Sequence, residues 1–315
     1  MPHTFLIDTD TASDDAVALI MALRAPGIHV AAITTVAGNV IVKQATRNAL
    51  YTVELCGAQT PVFAGAAHPL KRPYSSATWF HGEDGLGEHG YSEPATKPQA
   101  APAVEAIIDT IHSNPGIVLV TLGPLTNIAL AVAKDPTIST KIGRCVIMGG
   151  APCCEGNVTP AAEYNIWADP DAARIVMRSG MPVELIGWHL CRGEAIINPE
   201  EILALNTPLA RFAVECNSRA IEAIRIQTGE VGISLPDPVA MGIAIDSTLV
   251  TEASSHLVEI ETNSDLTRGM TVVDRLNVAR DRRNRKTWVH SKLAHVAWRM
   301  DVSRWKRQLF AALAL

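Results

Sequence analysis

The chain has 315 residues, of which 48% are hydrophobic, and its formal net charge is −5. This length and apolar content can bury the core of one large α/β domain or two smaller ones, which excludes a disordered protein. The negative charge argues against nucleic acid as the main partner, and no apolar stretch approaches the roughly 18 residues that a membrane span needs.

An apolar strand is predicted at residues 4–7 and a helix at residues 16–23. Four carboxylates lie between them: Asp8, Asp10, Asp14 and Asp15. They are therefore expected where the first strand ends and the first helix begins, the position at which open α/β sheets bind ligands. Oxygen donors without thiolate or imidazole suit Ca²⁺ or Mg²⁺, so the cluster predicts a metal site.

Helix capping explains only part of this cluster. Ser13 is a plausible N-cap, and the helix dipole favours Asp14 and Asp15 in the first turn. Asp8 and Asp10 lie outside that helix, at a strand end where an uncompensated buried carboxylate is costly. The metal site remains the better interpretation.

Strands and helices are predicted to alternate through residue 187. The predicted strands are 29–36, 61–64, 117–122, 144–148 and 183–187, and the predicted helices are 42–55, 102–112, 125–133 and 169–178. Continuous apolar strands separated by helices indicate a mostly parallel sheet covered on both faces, an open doubly wound α/β fold.

The last third of the chain is predicted to be mainly helical. Helices are expected at 199–226, an edge or hairpin strand at 258–262, and one or two further helices at 289–313. No linker or repeat divides the sequence, so we expect a single domain over residues 1–315, with a helical lobe over the carboxyl edge of the sheet.

The chain enters its first strand too early to leave room for a charged leader and an apolar signal core. Its six cysteines show no CxxC spacing, and a chain of this size needs no disulfide framework. A cytoplasmic location is therefore expected.

Polar or glycine-containing turns follow the other predicted strands. They are Gly38-Asn39, residues 123–127, Gly149-Gly150 and residues 187–189. Asp237 opens a further helix beside Pro236, where it would be either an N-cap or a distant ligand of the acidic cluster.

Residues 156–167 are unusually polar for a connection between a core strand and a helix. A turn accounts for the glycine and Asn157 but does not require Glu163 and Asn165. Two amides and one carboxylate at this spacing could hold several hydroxyl groups.

These motifs together resemble the inosine-uridine-preferring nucleoside hydrolase family. The segments that carry the resemblance occur in family order: Asp8 to Asp15, Gly38-Asn39, residues 81–87, 123–127 and 149–165, Asp237-Pro238, and residues 268–274. One such segment would be weak support, but the ordered set covers nearly the whole chain and is highly specific.

The resemblance implies a Rossmann-like fold, Ca²⁺-dependent hydrolysis of ribonucleosides to ribose and free base, and a homodimer or homotetramer. It places Ca²⁺ on Asp10, Asp15, Asp237 and the backbone carbonyl of Thr126. Asp10 would be the general base and Asp8 a supporting carboxylate. The implied sugar-binding residues are Asp14 and Asn39 for the 2′ and 3′ hydroxyls, and Asn157, Glu163 and Asn165 for the rest.

The chain departs from the family pattern at Pro236. Many members carry histidine there, and it protonates the leaving base. Other members stack a purine between tryptophans, for which Trp79 and Trp188 are candidates, and His81 or His189 could donate a proton. A purine preference is therefore expected.

Two alternatives remain open. Asp8-Thr9-Asp10 after an apolar strand also resembles a haloacid-dehalogenase-type phosphatase, although the only adjacent aspartate pair, Asp14-Asp15, lies in the same segment. A non-catalytic nucleoside or ribose binder would retain the same ligands, but it would not need a water-activating aspartate.

Overall fold

The computed structural model describes residues 3–284 and 286–314 and contains nine strands. They are β1 His3–Thr9, β2 Ile28–Thr35, β3 Val62–Ala64, β4 Ile117–Thr121, β5 Ile142–Met148, β6 Val183–Ile186, β7 Val250–Ile260, β8 Thr271–Val273 and β9 Lys292–Met300. They form one sheet in the order β3-β2-β1-β4-β5-β6-β9-β7-β8. The first seven strands in this order run parallel, while β7 is antiparallel to both β9 and β8.

Twelve α-helices accompany these strands in the described residues. They are α1 Ser13–Arg24, α2 Val42–Leu55, α3 Thr78–His81, α4 Ala103–Ser113, α5 Thr126–Lys134, α6 Tyr164–Ala168, α7 Pro170–Arg178, α8 Pro199–Leu203, α9 Pro208–Glu215, α10 Ser218–Thr228, α11 Pro236–Ile245 and α12 Val302–Ala314. In the part of the chain that is described, no helix has the length and apolar character needed to cross a bilayer.

The sheet separates two apolar cores, as the alternation along β1 shows. Phe5 and Ile7 pack into one core together with α1, α2, α11 and α12, whereas Leu6 packs into the other with α4, α5 and α7. Successive residues of a strand point to opposite faces, so a strand covered on both faces is apolar throughout. The predicted doubly wound α/β architecture is confirmed.

The prediction for residues 289–313 is wrong in its first half. Residues 292–300 form β9, which lies inside the sheet between β6 and β7, and only α12 is helical. The parallel part of the sheet therefore does not end at β6 but continues to β9. The predicted strand at 258–262 is the end of the longer β7, and β8 was not anticipated.

Two capping predictions are also corrected. Ala12 precedes α1, and Ser13 is its first residue rather than its N-cap. Leu235 precedes α11, so Asp237 lies inside the first turn and is not a cap. Both carboxylate-bearing turns consequently point the positive end of a helix dipole toward the acidic cluster.

Candidate active site

The acidic cluster forms where α1 and α11 pack together at the carboxyl edge of the sheet. Asp14 and Asp15 lie in the first turn of α1, and Asp237 lies in the first turn of α11. One carboxylate oxygen of each lies within 4.8 Å of the others. This trio combines two of the predicted metal ligands with Asp14, which the resemblance had placed on the sugar.

Burial and mutual repulsion make these carboxylates costly to ionise together. Burial, followed by the charge of Asp15, raises the pKa of Asp10 well above its usual range and that of Asp14 to about 7. Burial and then Asp14 likewise raise the pKa of Asp237. In the described part of the chain, no lysine or arginine pairs with the cluster.

The donor chemistry of the cluster fits a hard divalent cation. The Oδ1 atoms of Asp10 and Asp14 are buried and have no hydrogen-bond partner among the described residues. Buried carboxylate oxygens without partners are unfavourable unless a proton or a cation satisfies them. A cation would offset the repulsion that raises the pKa values of these groups.

Asp10 is held tightly beside this cluster. The backbone N–H of Asn39 donates to its Oδ2 at 2.6 Å. A Cβ atom on Gly38 would overlap that oxygen, and a Cβ on Gly123 would lie 2.6 Å from Oδ1. Gly38, which follows β2, and Gly123, which follows β4, therefore both lie in close contact with the Asp10 carboxylate.

Asp8 is fully buried behind the cluster. Its Oδ1 accepts hydrogen bonds from Thr34 Oγ1 at 2.5 Å and Asn127 Nδ2 at 2.8 Å. Burial nevertheless raises the pKa of Asp8 to about 7. Thr126, also buried, begins α5, and its hydroxyl donates to Asp169 at 2.7 Å, so that side chain is occupied elsewhere.

A cleft of about 690 Å³, partly open to solvent, lies beside the carboxylates. The sequence-predicted residues that line it are Asp14, Asn39, Trp79, His81, Asn157, Glu163, Asn165, Trp188, Pro236 and Asp237. Clefts in which a few polar groups converge among apolar and aromatic side chains are typical of small-molecule sites. The structure therefore brings together predicted residues from distant parts of the chain.

Several residues that line the cleft are polar. The Glu163 carboxylate accepts from the backbone N–H groups of Gly150 at 2.7 Å and Asn165 at 2.8 Å, and the amide of Asn165 donates to the Leu122 carbonyl at 2.6 Å. Asn157 Oδ1 accepts from the Tyr164 N–H at 2.9 Å. These bonds fix the polar side chains in place before any ligand arrives.

Other lining residues of the cleft are aromatic. Trp79 is 63% exposed and stands edge-on to Phe80, whereas Trp188 is only 3% exposed and belongs to the core. Burial lowers the pKa of His81 to about 3, so its imidazole is neutral at physiological pH. His189 does not line the cleft; its Nε2 lies 3.0 Å from the Ala297 carbonyl.

Sequence reasoning missed several lining residues, among them Phe80, Met148, Tyr164, Asn217, Gln227 and Ser234. Tyr164 stands between Glu163 and Asn165, so the polar segment itself could have indicated it. Asn217 and Gln227 flank or belong to α10, whose position over the cleft depends on packing against α3 that no local pattern reveals.

Comparisons with known proteins agree in family. The model of the family described as inosine-uridine preferring nucleoside hydrolase matches residues 5–307. A pyrimidine-specific ribonucleoside hydrolase, RihA, of Shewanella sp. (strain MR-7) is 40% identical over 280 residues, which cover 87% of each chain.

Solved structures show the same relationship. The plant nucleoside hydrolase PpNRh1 has a TM-score of 0.92 and 31% identity, with 100% of this chain and 99% of that one covered. A purine-preferring ribonucleoside hydrolase from Gardnerella vaginalis has a TM-score of 0.88 and 32% identity, covering 99% and 98%.

Proposed function

Because the chain belongs to the inosine-uridine preferring nucleoside hydrolase family and is a nucleoside hydrolase, we propose that it hydrolyses the N-glycosidic bond of ribonucleosides in a Ca²⁺-dependent reaction. The products are ribose and the free base. One observation carries the proposal: a buried carboxylate cluster, which no lysine or arginine of the described residues pairs with, opens into a cleft lined by both polar and aromatic side chains.

Asp10, Asp15, Asp237 and the carbonyl of Thr126 would hold the cation. A calcium ion bound there would orient a water and the sugar hydroxyls and lower the pKa of that water. Asp14 and Asn39 line the cleft beside this cluster, where they bind the 2′ and 3′ hydroxyls. Asn157, Glu163 and Asn165 would bind the remaining hydroxyls.

Asp10 is the general base of the proposed reaction. Its Oδ2 is fixed by the Asn39 N–H, which leaves Oδ1 free to accept the proton of the attacking water. Burial raises its pKa and so strengthens it as a base, provided a cation keeps it ionised. Asp8 supports the site from behind, through the network with Thr34 and Asn127.

The surrounding carboxylates also favour breaking the glycosidic bond. As the base departs, positive charge develops on the ribosyl ring, and buried negative charges stabilise it more than they stabilise the neutral substrate. The hydroxyl contacts hold the ring in position while that charge develops.

The proposed position of the leaving base is beside the aromatic side chains that line the cleft. His81, rather than His189, is in position to meet it, since only His81 lines the cleft. Because its pKa lies near 3, His81 donates a hydrogen bond as a neutral imidazole and does not act as an imidazolium.

Purine nucleosides are the proposed preferred substrates. The exposed ring of Trp79 lines the cleft, and residue 236 is a proline that cannot protonate the leaving base. Stacking on Trp79 would instead make a purine base easier to protonate and so a better leaving group. The names of the relatives point in both directions, since one is pyrimidine-specific and another is purine-preferring.

A product assay tests the reaction class. Purified protein with Ca²⁺ is incubated with inosine, uridine and p-nitrophenyl phosphate, and released ribose and nitrophenol are measured. Release of ribose and free base supports the proposal. Release of nitrophenol alone would indicate a phosphatase, and tight nucleoside binding without any product would indicate a binding protein.

The same assay with Trp79→Ala tests the base preference. Truncating an exposed Trp79 should spare the fold and lower kcat/KM for inosine and adenosine more than for p-nitrophenyl riboside, whose leaving group needs no stacking. Trp188 is buried, so Trp188→Phe is the gentler variant there. Uridine as the best substrate, with an unchanged ratio in both variants, would rule out purine stacking.

A further inference from the structure

Ser13 contacts the cleft histidine from the first turn of α1. Its Oγ lies 2.7 Å from His81 Nδ1, and both side chains are buried. Ser13 lies next to Asp14, whose Oδ1 is 4.0 Å from the same ring nitrogen. The proposed function gives Ser13 no role.

The direction of this hydrogen bond follows from the surroundings of the hydroxyl. Among the described residues, His81 Nδ1 is the sole hydrogen-bond partner of Ser13 Oγ. If Nδ1–H were the donor, the hydroxyl hydrogen would be buried without an acceptor, at a substantial desolvation cost. The hydroxyl therefore donates, Nδ1 accepts, and the single proton of the neutral ring sits on Nε2.

This arrangement suits the cleft. Nε2 has no partner among the described residues and is not among the atoms buried without one, so it remains accessible in the cleft that His81 lines. The unpartnered Oδ1 of Asp14 competes for Nδ1, because a carboxylate can only accept and would draw the proton to Nδ1. The Ser13 hydroxyl prevents that by occupying Nδ1 as a donor.

We propose that Ser13 is a positioning residue that fixes the Nε2–H tautomer and the ring orientation of His81, so that a neutral N–H faces the leaving base. The inference rests on the proposed function, because His81 must meet the base for the tautomer to matter in catalysis. The first turn of α1 would then have two roles. Ser13 orients His81, and the next two residues, Asp14 and Asp15, belong to the carboxylate cluster.

The tautomer can be measured without any activity. In protein labelled with ¹⁵N-histidine, the ring nitrogen shifts distinguish Nδ1–H from Nε2–H, and His81→Gln identifies the His81 signals by their loss. We expect Nε2–H in the wild type and a growing Nδ1–H population in Ser13→Ala. Nδ1–H in the wild type, or an unchanged tautomer in Ser13→Ala, would overturn the proposal even if no substrate were hydrolysed.

Kinetics then test the consequence. Ser13→Ala should lower kcat/KM for inosine about tenfold or more. For p-nitrophenyl riboside, whose nitrophenolate departs without a hydrogen bond from the enzyme, kcat/KM should change by less than about twofold. Ser13→Thr keeps a hydroxyl and should restore the wild-type ratio of the two substrates. In a His81→Ala background, Ser13→Ala should not change the ratio further.

Ser179→Ala is the control for the loss of a serine hydroxyl away from the cleft: at the end of α7, Ser179 Oγ donates to the Val176 carbonyl and accepts from the Met181 N–H. It should leave both substrates unaffected. A parallel fall of both substrates in Ser13→Ala would mean that Ser13 supports only the carboxylate cluster. Hydrolysis of neither substrate by the wild type would refute the proposed function but not the tautomer assignment.

Discussion

At the scale of single residues, the site is defined by aspartates that are buried although no positively charged side chain among the described residues pairs with them. Asp10, Asp14 and Asp237 all have raised pKa values for the same first reason, burial. Such an arrangement reduces the stability of the metal-free protein and is retained only where the charge is used. The cluster was recognisable in the sequence because four of its aspartates lie within eight residues. Asp237 could be proposed as a ligand only because it lies between two prolines at a predicted helix start.

Replacing Asp10 by asparagine tests its role as general base. Asp10→Asn keeps the shape of the side chain and an oxygen for the Asn39 N–H, but it cannot take a proton from water. We expect kcat to fall about 10³-fold or more, with the melting temperature maintained. Turnover close to that of the wild type would remove Asp10 from the mechanism.

The raised pKa values also predict how stability depends on pH. Folding shifts the pKa of Asp8 and Asp14 from 3.8 to about 7, so between these values the folded state binds more protons than the unfolded state. The contribution of these two carboxylates to the stability of the metal-free protein must then fall as pH rises from about 4 to about 7 and level off above that, whereas the lowered pKa of His81 acts in the opposite direction.

Thermal unfolding in chelator across this range measures the effect. As the pH rises, Asp14→Asn should lose less stability than the wild type. Calcium should stabilise the protein more at pH 8 than at pH 5, because protons compete for the same oxygens; at 100 times Kd the gain is about 2.7 kcal/mol. The same dependence of melting temperature on pH in the wild type and in Asp14→Asn would contradict this account.

At the scale of elements, the parallel strands bring the site together at one edge of the sheet. The predicted helix at 42–55 coincides with α2, and the apolar runs of β1, β2, β4, β5 and β6 were recognisable because both faces of each strand are buried. β9 was missed because it pairs with β6 and β7, which lie far away in the sequence, and because its apolar residues run on into α12.

The turns after β2 and β4 predict a steric effect on Asp10. Neither Gly38 nor Gly123 has a left-handed φ, so alanine is acceptable to the backbone conformation. The new Cβ would meet Asp10 at both positions, and at position 38 it would also lie 2.7 Å from Pro124 Cδ. Gly38→Ala and Gly123→Ala should therefore displace the Asp10 carboxylate and lower kcat and calcium affinity together.

Gly57→Ala is the opposite case and serves as the control. Its new Cβ meets nothing within 4 Å, but φ is +64°, which costs about 1 kcal/mol for a non-glycine residue. It should lower the melting temperature and leave activity intact. Full activity in Gly38→Ala and Gly123→Ala would show that the close contact of these two glycines does not position Asp10.

At the scale of the whole molecule, the sheet order and the helix packing complete a site that no single segment contains. The cleft combines residues that follow β1, β2, β5 and β6 with residues of α3, α10 and α11. The motif set predicted the sheet side of this site well, because strand ends carry recognisable turns. A helical lobe over this edge was expected as well, but the residues of α10 that line the cleft were not identified, because the docking of that helix depends on tertiary packing.

The single-domain organisation, the cytoplasmic location and the homodimeric or homotetrameric state stay predictions. Light scattering on a size-exclusion column measures the last of these. A mass of about two or four chains of 33.7 kDa is expected, and a monomer at micromolar concentration would contradict it.

The central claim, calcium-dependent release of ribose from nucleosides, is tested most directly by removing and restoring the metal. Protein dialysed against chelator is assayed for ribose released from inosine, adenosine and uridine, before and after titration with Ca²⁺, with Asp10→Asn in parallel. We predict negligible release in chelator, recovery that saturates with Ca²⁺, and no recovery in the variant. Undiminished ribose release in chelator, or none from any of these nucleosides at saturating Ca²⁺, would contradict the account.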